Sequence, residues 1–174
     1  MEGNKKQRVL FSREEISKRV EALGQEISQY YKDKDVVVIS LLRGSFIFAS
    51  DLVREISIPV EVDFMTTASY GHEEVSSGHV NIVHDVRTLI EGKDVIIVDD
   101  IIDSGFTLEK VKNHLLEKSP NSIKICVMLD KPSRRKVDIS PDFVGFTIPD
   151  VFIVGYGLNY GDYYRNIPYI FTFE

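Results

Sequence analysis

The chain has 174 residues, 43% hydrophobic and 28% charged, the composition of a globular protein large enough to bury a full core without staples. Lys plus Arg is 21 and Asp plus Glu is 27, and the net charge of −6 argues against broad, sequence-independent adhesion to nucleic acid or anionic membrane. No apolar run approaches the ~20 residues of a membrane helix, no secretory signal is expected at the start, and the single cysteine excludes an internal disulfide or a multi-cysteine zinc site. A cytosolic address and one domain over residues 1–174 are the expectations.

Residues 1–8 read as a mobile tail. Ser12-Arg13-Glu14-Glu15 is a capping-box signature. Ile16, Val20, Leu23, Ile27 and Tyr30 then form one stripe of a helix ending near Tyr31. Val36 to Ile39 is a β-branched run suited to a strand covered on both faces. After Leu42-Arg43-Gly44, Ser45 is placed to cap a second helix with Phe46, Ala49, Leu52, Val53 and Ile56 on its apolar face. Val60, Val62, Phe64 and Thr66 alternate with polar or flexible residues as a strand. Residues 68–80 have no apolar period and read as a flexible lid-like loop, closed by a returning strand at Val80 to Val83.

Val95 to Val98 is the strongest buried-strand run, and it stops at Asp99-Asp100. A helix follows with Leu108, Val111, Leu115 and Leu116 on one face. Ile123, Ile125, Val127 and Leu129 mark another strand, which ends at Asp130-Lys131-Pro132. Cys126 lies in that run and reads as buried packing or a functional thiol. Arg134-Arg135-Lys136 form a short basic cluster, and Tyr169 to Phe173 close the chain as a last strand. Apolar strands alternating with amphipathic helices predict an α/β fold with a central, mostly parallel, twisted sheet flanked by helices. Ligands of such sheets bind at the carboxyl ends of strands. That rule points to Leu42 to Ser45, Asp99 to Thr107 and Asp130 to Arg135.

Of these, Asp99 to Thr107 carries the sharpest chemistry. A helix N-terminus offers N–H donors and a positive dipole end to a phosphate. Gly105 permits close backbone approach, and Ser104 and Thr107 add hydroxyls. Asp99, Asp100 and Asp103 beside such a cradle make sense if a divalent cation and sugar hydroxyls intervene. The competing reading is that Asp103, Ser104 or Thr107 simply caps the helix. Walker-type and G-x-G-x-x-G signatures are absent.

Val98 to Thr107 closely resembles the phosphoribosyl-diphosphate signature of the phosphoribosyltransferases. Leu41 to Ser45, Ser69-Tyr70-Gly71, Leu129 to Pro132, Val144 to Asp150, Val154 to Gly157 and Tyr164 to Tyr169 resemble the hypoxanthine-guanine branch, in family order over residues 9–173. The resemblance implies transfer of a 5-phosphoribosyl group from phosphoribosyl diphosphate to N9 of hypoxanthine or guanine, with Mg2+. A hood from about 150–174 plus the N-terminal segment is implied, as is a homodimer or homotetramer. Asp103 would serve purine N7 as general base, and Asp103 with Ser104, Gly105, Phe106 and Thr107 would bind the 5′-phosphate. Asp99 and Asp100 would hold the ribose and metal shell. Arg43, Gly44, Ser69, Tyr70 and Arg165 would meet the diphosphate, with a cis Leu42–Arg43 peptide. Lys131 would donate to the 6-oxo group, Phe152 would stack on the base, and the Ile153 backbone would read its far edge.

Taken singly, Lys131 reads as a turn residue, Phe152 as core, Arg165 as a surface charge and Arg43 as a strand end. Their order along the chain supports the site reading. Three positions depart from the family pattern: Asn159 replaces an Asp at a second metal position, His84 replaces a Lys, and Asp99 a Glu. Asn159 lacks the carboxylate's charge, so a raised magnesium requirement is expected. The rival is an RNA-binding regulator on the same fold, with weak support from the basic cluster at 134–136.

Overall fold

The computed structural model describes residues 5–69 and 79–174. Its elements are β1 (Gln7–Phe11), α1 (Arg13–Tyr30), β2 (Val36–Leu42), α2 (Phe46–Glu55), β3 (Val60–Ser69), β4 (Val80–His84), β5 (Asp94–Ile102), α3 (Phe106–Leu116), β6 (Ser122–Asp130), β7 (Phe143–Thr147) and β8 (Ile170–Phe173), with a 3-10 turn at Pro132–Arg134. Six strands form one sheet in the order β4-β3-β2-β5-β6-β7. Every pairing is parallel except β3 with β4. This is the expected architecture. Strands β1 and β8 pair antiparallel as a separate two-stranded sheet. Strand β1 thus begins inside the stretch read as a tail, because Gln7 and Arg8 pair with Phe173 and Thr172. No helix among the described residues is long and apolar enough to cross a membrane.

Hydrophobic clusters fill both faces of the sheet. Ile16, Val20, Leu23 and Ile27 of α1 and Phe48, Ala49 and Leu52 of α2 pack on Val36, Val38, Ile96 and Val98. Leu108, Val111 and Leu115 of α3 pack on Val37, Ile39, Val95 and Ile97. Each β2 and β5 side chain in these sets points to one face or the other, which explains why the strands read as unbroken apolar runs. The capping box of α1 is present: Glu15 N–H donates to Ser12 Oγ at 3.1 Å, and Ser12 N–H to Glu15 Oε2 at 2.9 Å.

Several local expectations are corrected. Ser45 does not cap α2 through its side chain. Its hydroxyl instead donates to Leu41 O at 2.5 Å and accepts from Ser40 Oγ at 2.7 Å, which ties the end of β2 to the start of α2. In α2, Phe48 takes the core position and Phe46 is exposed. In α3, Leu116 is exposed rather than on the buried face. In β3 the buried residue is Met65, whereas Val62 and Phe64 are 42% and 47% exposed. Val60 packs with the cluster beneath α1 and α2, so Val62 and Phe64 point to that same side, beyond the reach of α2. Strand β7 was not expected. Its carbonyls at Gly145 and Val144 accept from the Arg19 guanidinium of α1 at 2.9 and 2.6 Å. Val154 makes an isolated antiparallel bridge to Phe171 outside the named strands. Cys126 is fully buried, which favours packing. Burial pushes its thiol up, out of the reactive range.

Tyr31 is fully buried and its hydroxyl has no hydrogen-bond partner among the described residues. An orphaned buried hydroxyl destabilises a fold. Tyr31→Phe should therefore leave stability unchanged or raise it by about 1 kcal/mol in urea denaturation. A loss would show that the hydroxyl has a partner, such as a buried water.

Three carboxylates hold loops by accepting hydrogen bonds: Asp63 from Phe64, Arg87 and Thr88 N–H, Asp85 from His114 and Lys118, and Asp94 from Asn121 and Ser122. Burial alone would raise their pKa values, yet these donors outweigh it and lower all three. A depressed folded-state pKa contributes stability above the unfolded value, lost as pH falls through the folded one. The urea midpoint should thus fall below about pH 4. Replacing the three by Asn should lower stability at neutral pH and flatten that acid slope.

Candidate active site

Strand β5 is fully buried from Val95 to Val98 and then becomes polar. The strand does not stop at Asp99-Asp100 as expected: past Val98 it loses its β2 partner but stays paired with β6 to Ile102, and the chain then turns through Asp103-Ser104-Gly105 into α3. Gly105 occupies the N-cap with φ +92°, a left-handed conformation that L side chains rarely adopt. A β-carbon there would also lie 2.6 Å from Ile139 Cγ2 and 2.9 Å from Val137 Cγ2. Because glycine has no side chain, the first N–H groups of α3 receive no side-chain cap from that position. This favours the anion cradle over the simple cap. A cavity of about 250 Å³ opens here, lined by residues 99–105 with Thr107 and Leu108.

Asp99 Oδ1 accepts from Asp100 N–H at 2.9 Å, and Asp100 Oδ1 from Ile101 N–H at 2.8 Å. Desolvation and the neighbouring Asp100 charge push the Asp99 carboxyl well above its ordinary range. Desolvation also raises Asp100, although Asp99, the Ile101 N–H and the Arg165 charge oppose it. Two carboxyls held this way would gain from a cation.

Remote segments converge on Asp100. The Leu42–Arg43 peptide is cis, as expected, and Arg43 is exposed. Gly44 lies so close that an added β-carbon would sit 2.0 Å from Asp100 Oδ2. A β-carbon on Gly157 would likewise sit 2.3 Å from Gly44 O. Arg165 Nη1 donates to Gly157 O at 2.6 Å, which puts its charge beside this group. Gly44, Arg165, Asp99 and Asp100 are thereby brought together, with Arg43 adjacent to Gly44 in the chain. Ser69 ends β3, where its backbone pairs with Val80. Tyr70 and most of the expected lid lie outside the described residues.

The end of β6 supplies the third wall. Lys131 is only 7% exposed, its N–H donates to Ile102 O at 3.1 Å, and its Nζ lies 3.7 Å from Asp150 Oδ1. Phe152 is 56% exposed and meets Tyr160 edge-on at 5.8 Å, so it is not core. Ile153 has a buried side chain, and the exchange of backbone bonds at Val154 with Phe171 stops short of its peptide groups. Asn159 is exposed and donates its amide to Gly161 O at 2.6 Å.

Sequence reasoning overlooked Arg134, Arg135 and Asp150 as site residues. Arg134 Nε donates to Asp103 Oδ1 at 2.9 Å and its Nη1 to Asp150 Oδ2 at 3.4 Å. Asp103, Arg134, Asp150 and Lys131 thus form a continuous chain of charges. Arg135 pairs with Asp130 at 2.6 Å. Two of the three residues of the basic cluster, Arg134 and Arg135, are thus committed to ion pairs within the fold, which counts against a free patch for RNA. The available signal was the two arginines three and four residues after Lys131, directly beyond a strand end.

The family model for the phosphoribosyl transferase domain matches residues 9–161. The chain belongs to the phosphoribosyltransferase family. Hypoxanthine phosphoribosyltransferase of Salmonella typhimurium is 51% identical over 164 residues, covering 93% of this chain and 92% of that protein. Hypoxanthine-guanine phosphoribosyltransferase of Bacillus subtilis is 49% identical, covering 94% and 91%. A crystal structure of a hypoxanthine-guanine phosphoribosyltransferase from Bacillus anthracis superposes with a TM-score of 0.92 at 44% identity, covering 97% of this chain and 99% of that one.

In this phosphoribosyltransferase, Gly44 is the contact that admits the Asp100 carboxylate. Gly44→Ala should reduce kcat/KM about 100-fold by displacing that carboxylate, with circular dichroism unchanged. A variant with wild-type kinetics would show that the backbone shifts freely at this point.

Proposed function

We propose that the protein is a purine-salvage enzyme that transfers the 5-phosphoribosyl group of phosphoribosyl diphosphate to N9 of hypoxanthine or guanine. One observation carries this reading: an uncapped helix N-terminus and a carboxylate pair at the end of β5 stand between Gly44, beyond β2, and a buried lysine at the end of β6. The relatives at about 50% identity bear names for this activity.

In this reading the N-terminus of α3, with Ser104 to Thr107, holds the 5′-phosphate. Asp99 and Asp100 hold the ribose hydroxyls. Their hard oxygen donors also suit Mg2+, and no cluster of three metal-ligating side chains exists among the described residues, so waters and substrate oxygens would complete its shell. The bound ion supplies charge neutralisation for the diphosphate. Arg43, Gly44 and Arg165 bind that leaving group, aided by Ser69 and Tyr70. Asn159 contributes at most a weak second ligand position. Phe152 stacks on the purine, the Ile153 backbone meets its far edge, and Lys131 donates to the 6-oxo group. An ammonium carries donors only, so the amino group of adenine is a poor partner for it.

As the N9–C1′ bond forms, the C1′–O bond to diphosphate breaks, and the purine proton at N7 passes to Asp103. Arg134 stands on Asp103 beforehand as a counter-ion and yields that carboxylate to the base. The sheet β1–β8 with residues 150–174 acts as the hood. Homo-oligomerisation belongs to the same reading.

An ultraviolet assay with phosphoribosyl diphosphate, Mg2+ and hypoxanthine, guanine, xanthine or adenine in separate cuvettes tests the proposal. Hypoxanthine or guanine should turn over and adenine should not. Asp103→Asn should lower kcat about 100-fold or more. No turnover of any 6-oxopurine at any magnesium level would overturn the reading.

A further inference from the structure

Arg135 is only 16% exposed at its side chain, and its guanidinium is used in three directions. Nη2 donates to Asp130 Oδ1 at 2.6 Å, Nη1 to Asp103 O at 3.1 Å and Nε to Ile139 O at 2.9 Å. Asp130 is the last residue of β6 and precedes Lys131. Asp103 opens the phosphate turn. One planar fork thus joins the turn read as the phosphate cradle to the strand end read as the purine wall.

Its neighbours reinforce the joint. Lys136 N–H donates to Ser104 O at 2.9 Å. Val137 and Ile139 press on Gly105, and the Arg135 Cδ would lie 3.1 Å from a β-carbon placed there. The segment 135–139 is therefore a brace beneath the phosphate turn, with Arg135 fixing both of its ends. Its three donors face a carboxylate and two carbonyls, none of them a predicted substrate contact. The guanidinium meets the backbone carbonyl of Asp103, whereas Arg134 meets the Asp103 carboxylate itself.

We infer that Arg135 is a positioning residue that sets the distance between the Asp103 carboxylate and Lys131, and so lets purine N7 and the 6-oxo group be met at once. A guanidinium suits this role because its donors diverge in one rigid plane, whereas an ammonium meets one acceptor well and leaves the others. Asp130 is the matching half. It is 13% exposed, and without Arg135 it would be a nearly buried carboxylate with no counter-ion.

This assignment rests on the proposed transfer reaction. Failure of that reaction would show as an inactive wild type, before any variant is compared. The test uses the full chain and the variants Arg135→Lys and Arg135→Gln. Each is measured by steady-state kinetics, by thermal unfolding and by calorimetric binding of inosine 5′-monophosphate and of ribose 5-phosphate. The geometry predicts a fall of about 100-fold in kcat/KM for Arg135→Gln, shared between kcat and the KM for the purine, with Arg135→Lys recovering part of it. Affinity for the nucleotide, which spans both loops, should fall more than affinity for ribose 5-phosphate, which meets one. A folded Arg135→Lys that loses thermal stability but keeps wild-type kcat, KM and nucleotide affinity would overturn the inference. Equal losses for nucleotide and sugar phosphate would overturn it too, since only the phosphate turn would then be affected. Should Arg135→Gln fail to fold, Arg135→Lys decides alone.

Discussion

Everything in this molecule depends on strand β5 being covered on both faces and paired on both edges. Val95, Ile96, Ile97 and Val98 are fully buried, with β2 on one side and β6 on the other. A strand so enclosed tolerates carboxylates only where it has lost a neighbour, and past Val98 it no longer pairs with β2. Asp99 and Asp100 therefore mark the rim, and their positions are fixed by the packing below them. The parallel pairing then brings the ends of β2 and β6 to the same rim. Arg43 and Gly44 follow one of them, and Lys131 follows the other. The site is the polar margin of a hydrophobic sheet, and its precision derives from that sheet's rigidity.

That dependence explains which features were legible from residues alone. The runs of β2 and β5 carry no alternation because both faces are covered, so they stood out as apolar tracts. The stripe of α1 and the Ser12 box were equally plain. The errors fall where tertiary context overrides local pattern. Val62 and Phe64 alternate like core residues, but they lie on a part of the sheet that α2 does not cover. Strand β7 contains Gly145 and follows Pro141, so its residues look like loop. It exists because β6 offers an edge and Arg19 secures its carbonyls. Gln7 and Arg8 look like a tail because their partner, β8, lies at the other end of the chain.

For the site, strand-end chemistry was legible and long-range electrostatics was not. Asp99 to Thr107 could be read locally because one segment supplies both the carboxylates and the helix N-terminus. Gly44 could not be read that way. Its importance is its fit against Asp100, 56 positions on. The pairing of Arg134 with Asp103 likewise spans 31 positions. Read as composition, Arg134-Arg135-Lys136 are three positive charges in a row. In the fold they face three directions: one toward Asp103 and Asp150, one beneath the phosphate turn, and one through its backbone to Ser104 O.

An acidic protein that binds two anionic groups must localise its positive charge. Positive character stands in three places near the strand ends: the dipole end of α3, Arg165 beside Asp100, and Lys131 with Arg134 around Asp150. Between them stand Asp99, Asp100 and Asp103, which would repel a phosphorylated sugar if left alone. Each has its own compensation. Asp100 feels Arg165, Asp103 is held by Arg134, and Asp99 has only its neighbour's N–H. Desolvation and the Asp100 charge push the Asp99 carboxyl upward. Of the three, Asp99 is the one with no neighbouring basic side chain among the described residues, so the proposed cation would add most there.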